Sequence, residues 1–94
     1  ENLLTLRSLL KRKYSLAEIS KAAKLPESVV SMQIESLLAY SPETEIDGVV
    51  SSETKKLINN VIADGFIELK EIKSRLPQSV TYAEIRIVLA KRNA

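Results

Sequence analysis

Ninety-four residues, 45% hydrophobic and 28% charged with a net charge of +2, describe an ordinary globular balance in a chain long enough for one small domain and too short for two independent cores. There is no Cys and no His, which excludes disulfides, thiolate nucleophiles, imidazole bases and the usual zinc-ligand sets. No run approaches the ~18 apolar residues of a membrane span, and the start at Glu1 has none of the zones of a secretory signal, so the sequence reads as a soluble piece of a longer protein.

Apolar residues recur at helical spacing along nearly the whole chain, which predicts an all-α fold of six helices. The first runs from about Leu3 to Arg12, with Leu3, Leu6, Leu9 and Leu10 inward and Lys11, Arg12 and Lys13 at the negative end of its dipole. "SLAE" then places Ser15 at a cap with Glu18 three residues on, a capping box that opens a short helix over Leu16 to Ala23. Pro26 belongs at the start of the third helix, where a missing N–H does no harm. Val30, Ile34, Leu37 and Leu38 make that helix's inward stripe, and it stops near Tyr40, ahead of Pro42.

"SPETEIDGVVSS" joins the halves as a hinge, within which "EIDGVV" has the composition for a short bridge of strand. Ser51 or Ser52 caps the fourth helix, with Leu57, Ile58, Val61 and Ile62 inward, Gly65 as its left-handed terminator and Phe66 plugging inward after it. A brief fifth helix, about Leu69 to Leu76, presents Leu69, Ile72, Arg75 and Leu76 on one side before Pro77. Thr81 caps the sixth through a second box with Glu84, and Tyr82, Ile85, Val88 and Leu89 line its buried side.

The two halves are copies. "LPESVVSMQIESLLA" (25–39) and "LPQSVTYAEIRIVLA" (76–90) agree without a gap at Leu25/Leu76, Pro26/Pro77, Ser28/Ser79, Val29/Val80, Ile34/Ile85, Leu38/Leu89 and Ala39/Ala90. Each half is a long helix, a short helix, a Leu-Pro turn and a final helix, so the prediction is two three-helix helix-turn-helix repeats, at about 1–40 and 52–92, joined by a linker over 41–51 and sharing one core.

At these residues the sequence resembles the C-terminal helix-turn-helix domain of RecQ-family DNA helicases, found also in the Werner syndrome helicase and in YpbB-type proteins. "KYSLAEIS" is similar to the family's "GKSIEEIA", and "IKSRLPQSVTYAEIRIVLA" to its "IKEALPEEISYGEIRLVLA"; Ala83 stands where that pattern often has Gly. The resemblance, from about Leu3 to Leu89, implies a bacterial, cytoplasmic, nucleoid-associated accessory module of an ATP-dependent helicase. It implies no active site and no cofactor within these residues, and as partners DNA and the other domains of the parent helicase.

Charge is segregated: residues 1–25 carry +4, residues 26–54 carry −6 with no base at all, and residues 55–94 carry +4. The third helix, whose outward set includes Glu27 and Glu35 and no base, is poorly equipped to read base edges. Candidate phosphate contacts are Lys11, Arg12, Lys13, Lys21 and Lys24 in the first half and Lys73, Arg75, Arg86, Lys91 and Arg92 in the second, with Lys70 nearby. The same bases are equally readable as solvated faces and helix-end cations. Ala83, Ile87 and Ala90 form an apolar outer strip on the sixth helix that needs a cover: the other repeat, another domain of the parent, or a partner protein. Carboxylates such as Glu43 and Glu45 have no nucleophile, base or Gly-rich phosphate turn beside them, so catalysis, a metal, a small-molecule substrate and a membrane are not expected. The function expected is sequence-independent DNA binding, with protein or interdomain docking as the alternative.

Overall fold

The computed structural model describes residues 3–94, with side chains from Leu4 onward; the inward placement expected of the Leu3 side chain lies outside the described residues. Among the described residues six helices follow in order: α1 (Leu3–Lys11), α2 (Leu16–Ala23), α3 (Glu27–Tyr40), α4 (Ser52–Ala63), α5 (Leu69–Ser74) and α6 (Tyr82–Asn93). Among the described residues there is no strand. The segment open to a bridge, residues 45–50, instead makes a turn in which the Val49 and Val50 N–H groups donate to Ile46 O at 3.1 and 3.0 Å. Ile46, Val49 and Val50 are buried there, so this linker is fastened to the core by apolar side chains without a sheet partner.

Local chemistry sets the helix starts. Ser15 N donates to Glu18 Oε1 at 2.8 Å while Glu18 N donates to Ser15 Oγ at 3.1 Å. Thr81 and Glu84 repeat the exchange at 2.9 and 3.2 Å, and Ser51 Oγ accepts from Thr54 N at 3.1 Å to open α4. Each satisfies donors that a helix start otherwise leaves orphaned. Gly65, at φ +103°, follows α4 as expected. Pro26 is the capping residue itself, one place before α3, and its carbonyl accepts from Val29 and Val30. α5 ends two residues earlier than its periodicity predicts: the Arg75 and Leu76 N–H groups bond back only three residues, in the tight turn that Pro77 imposes on what precedes it.

One hydrophobic cluster runs through both halves, from Leu6 and Leu10 of α1 to Ile85, Ile87 and Val88 of α6. The most extensive interface between helices joins α3 to α6. α6 buries Ile85, Ile87 and Val88 against its neighbours, whereas α3 buries Val30, Ile34, Leu37 and Leu38 and keeps Val29, Met32 and Tyr40 on an exposed face. Two expected inward side chains sit at the edge instead: Leu57 is 38% and Tyr82 44% exposed. On α4 the buried position is Ile58, a helical step of ~100° away from Leu57. On α6 the interior is filled by Ile85, Ile87 and Val88, which leaves Tyr82 on the rim of the first turn.

Candidate nucleic-acid interface

In each half a short helix, a Leu-Pro turn and a longer helix form the helix-turn-helix: α2 with α3, and α5 with α6. The first turn is tied by Ser20 Oγ, which donates to Leu25 O, and the second by Val80 N, which donates to Pro77 O at 3.0 Å. The two final helices lie side by side with their N-terminal ends together, since Ser28, Ser31 and Met32 line one groove with Tyr82, Ala83 and Arg86. At the other end Lys91 of α6 reaches the carbonyls of Pro42 and Thr44, just past the end of α3, at 2.8 Å each.

This pairing disposes of the apolar strip. Ile87 is completely buried in the shared core, with Ala83 and Ala90 packed against it. The cover is therefore the first repeat, and Ile87 offers no surface to a partner protein. A helix enclosed in this way presents only its rim to solvent, so α6 cannot lie full-length in a major groove.

The ten candidate bases fall into two groups. In the second half most are engaged. Arg86 bridges to Glu35 of α3, Nε to Oε2 at 2.8 Å, so it is not a free phosphate ligand: its charge is met within the chain. Lys91 holds the two linker carbonyls already described, and Arg92 Nη1 donates to Asn59 Oδ1 at 3.2 Å. Arg75 stacks over Phe66 with 3.8 Å from Cζ to the ring centroid, and Lys73 Nζ stands 5.8 Å from that of Tyr82. In the first half Lys11, Arg12, Lys21 and Lys24 are exposed, and none of their side chains has an ion pair or hydrogen bond among the described residues. The exposed bases without a partner among the described residues thus lie on α1, on α2 and on the turns that follow them.

Residues 2–89 match the family model described as a helix-turn-helix domain. The chain belongs to that family. No curated protein and no solved structure matches it. None of the helices of this helix-turn-helix domain is long and apolar enough to cross a membrane, among the described residues.

The acidic linker supplies what the sequence reading of this helix-turn-helix domain lacked. Arg7 bridges to Glu43 at 3.4 Å and Lys55 to Asp47 at 2.5 Å. The hydrogen bond and charge of Lys55, with Lys13 and Lys91 adding to them, hold the Asp47 carboxyl below its ordinary value. The signal for this was present in the charge blocks: a −6 segment between two +4 segments must be met by its neighbours if it packs. The backbone also comes very close here. A Cβ placed on Gly48 would stand 2.4 to 2.6 Å from the Lys13 backbone, so only glycine lets the linker seat on the α1–α2 turn.

Proposed function

We propose that this helix-turn-helix domain grips nucleic-acid backbone without reading sequence, and that it does so as a non-catalytic accessory module of a RecQ-type DNA helicase. The observation that carries the reading is the contrast between the halves. Lys11, Arg12, Lys21 and Lys24 are exposed and have no partner among the described residues, whereas Arg86, Lys91 and Arg92 are held by partners inside the chain. Exposed cations without an internal partner suit phosphates, where each contact releases counterions and carries no sequence information. Membership of a helix-turn-helix family supports nucleic acid as the partner; the helicase parent rests on the resemblance of "KYSLAEIS" and "IKSRLPQSVTYAEIRIVLA" alone. Base readout has no support, because α3 carries no Arg or Lys and its Glu27 would face phosphates.

The test is a titration of labelled duplex, forked and single-stranded DNA at two salt concentrations. The reading expects binding that weakens steeply with salt and drops further in Lys21→Glu/Lys24→Glu and in Lys11→Glu/Arg12→Glu. It expects little change in Lys73→Glu. No binding to any of the three substrates at low salt would defeat it.

A second reading, docking onto another domain of the parent, is supported by one feature. Met32 at 56% and Tyr82 at 44% exposure flank the groove between the N-terminal ends of α3 and α6, beside Val29 at 37%. Loss of that contact in Met32→Glu, with DNA binding intact, would favour docking.

A further inference from the structure

A second groove, of about 230 Å³, opens between the C-terminal turn of α1 and the linker, lined by Arg7, Leu10, Lys11, Lys13, Glu43, Thr44 and Glu45. One of its lining residues is anomalous. Thr44 is 8% exposed, and its Oγ1 is sealed from solvent with no hydrogen-bond partner among the described residues. A buried hydroxyl left unpaired carries its full desolvation cost, so valine would suit this buried linker position better for stability alone. Around it stand three cations of the lining and a fourth, Lys91, whose Nζ donates to the Thr44 carbonyl at 2.8 Å. Two acids oppose them. One, Glu43, is held only by an exposed bridge to Arg7 at 3.4 Å, with side chains 68% and 51% exposed, a contact that solvent and salt weaken readily.

From this we infer that the groove is a phosphate site: a phosphate group takes the place of the Glu43 carboxylate on Arg7, is flanked by Lys11 and Lys13, and accepts from the Thr44 hydroxyl once Glu43 swings away. The inference rests on the nucleic-acid reading for its biological source, but the chemistry it names is the phosphate alone. The negative end of the α1 dipole, which opposes an anion, is already met at this point. The Ser8, Leu9 and Leu10 carbonyls accept from the Arg12, Tyr14 and Lys13 N–H groups at 3.1, 3.2 and 2.9 Å. The acidic side chain of Glu43 acts as a resident competitor, which makes occupancy dependent on the strength of the incoming anion.

The test is amide-resolved NMR of the isotope-labelled 94-residue chain, titrated at constant ionic strength with inorganic pyrophosphate and, separately, with one short oligodeoxynucleotide with and without a 5′-phosphate. Saturable shifts centred on Arg7, Lys11, Lys13 and Thr44 are expected. Glu43→Gln tightens binding, Thr44→Ser retains it, and Thr44→Val weakens it roughly tenfold, the loss of one hydrogen bond to a charged group. Thr44→Val also melts at a higher temperature than the parent, so the weaker binding is not a folding defect. A preference for the 5′-phosphorylated strand assigns the site to nucleic-acid ends, equal binding of both strands assigns it to the backbone phosphates, and a response to pyrophosphate with none to either strand assigns it to free phosphates. Shifts that grow linearly and spread equally over Lys21, Lys56 and Lys70, or unchanged affinity in Thr44→Val, would overturn the site. DNA binding that survives Thr44→Val but fails in Lys21→Glu/Lys24→Glu refutes the groove and leaves the proposed function standing; saturation by pyrophosphate with no DNA binding does the reverse.

Discussion

Glu35 and Arg86 occupy the same position of the two repeats and bond to each other across the seam, 51 residues apart in the chain. Equivalent residues of the two copies thus meet where α3 lies against α6. An exact copy of either repeat at that point would set Glu against Glu or Arg against Arg. The opposite charges avoid that clash and add an ion pair to a seam built mainly from apolar side chains.

Reversing one member should show this. Glu35→Arg places two guanidinium groups together, whereas Glu35→Arg with Arg86→Glu restores an opposite pair. With the two side chains 28% and 42% exposed, a coupling of about 1 kcal/mol in a double-mutant cycle of urea melts is expected. Additive losses would mean that the bridge does not contribute.

Gly48→Ala drives a methyl group into the Lys13 backbone, and neither main chain has room to yield cheaply. A loss of about 1–3 kcal/mol in chemical denaturation is expected, as for other overpacked contacts. At Gly65 the space is open and only the left-handed φ of +103° opposes a side chain, so Gly65→Ala costs about 1 kcal/mol, mostly backbone strain.

Asp47 makes stability depend on pH. Its folded value is depressed, so its contribution is complete above the ordinary carboxylate value of 3.8 and is lost as pH falls through the lower folded value. Asp47→Asn should therefore melt below the parent at neutral pH, with the difference closing in strongly acidic solution. High salt at neutral pH should shrink it as well, because the carboxylate is 43% exposed.

Lys24 holds a left-handed backbone, φ 58°, at the end of α2, where glycine carries no steric penalty. Lys24→Gly is expected to gain about 0.5–1 kcal/mol in denaturation while weakening DNA binding. A gain in stability with unaltered DNA affinity would remove Lys24 from the interface.

Burial of the seam is tested by Ile87→Ala, expected to lose about 2–5 kcal/mol because the side chain is fully enclosed, against Ile67→Ala, expected near zero because that residue is 77% exposed.

What sequence showed best was whatever is decided within four residues: the Ser15/Glu18 and Thr81/Glu84 boxes, the Ser51 cap, and the stripe of Val30, Ile34, Leu37 and Leu38. The all-α helix-turn-helix character was legible too, from helical periodicity and from the Leu-Pro turns that stand in register at 25–26 and 76–77. What it missed is decided across the chain. Whether Arg86 is free depends on Glu35, and Arg7 of α1 and Lys55 of α4 find their counterions in a linker that periodicity treats as empty. Tyr82 and Leu57 were misplaced for a related reason: a single stripe locates one buried face, and the helices here meet more than one neighbour.

The shared seam also governs how the molecule opens. Because α3 and α6 each complete the other's half, neither repeat can unfold while its twin keeps a full interior, and the amides of these two helices should exchange with solvent only through whole-molecule unfolding. Leu10 of α1 and Ile19 of α2 belong to the same cluster, so the two helices that carry the exposed lysines are tied into that cooperative unit as well.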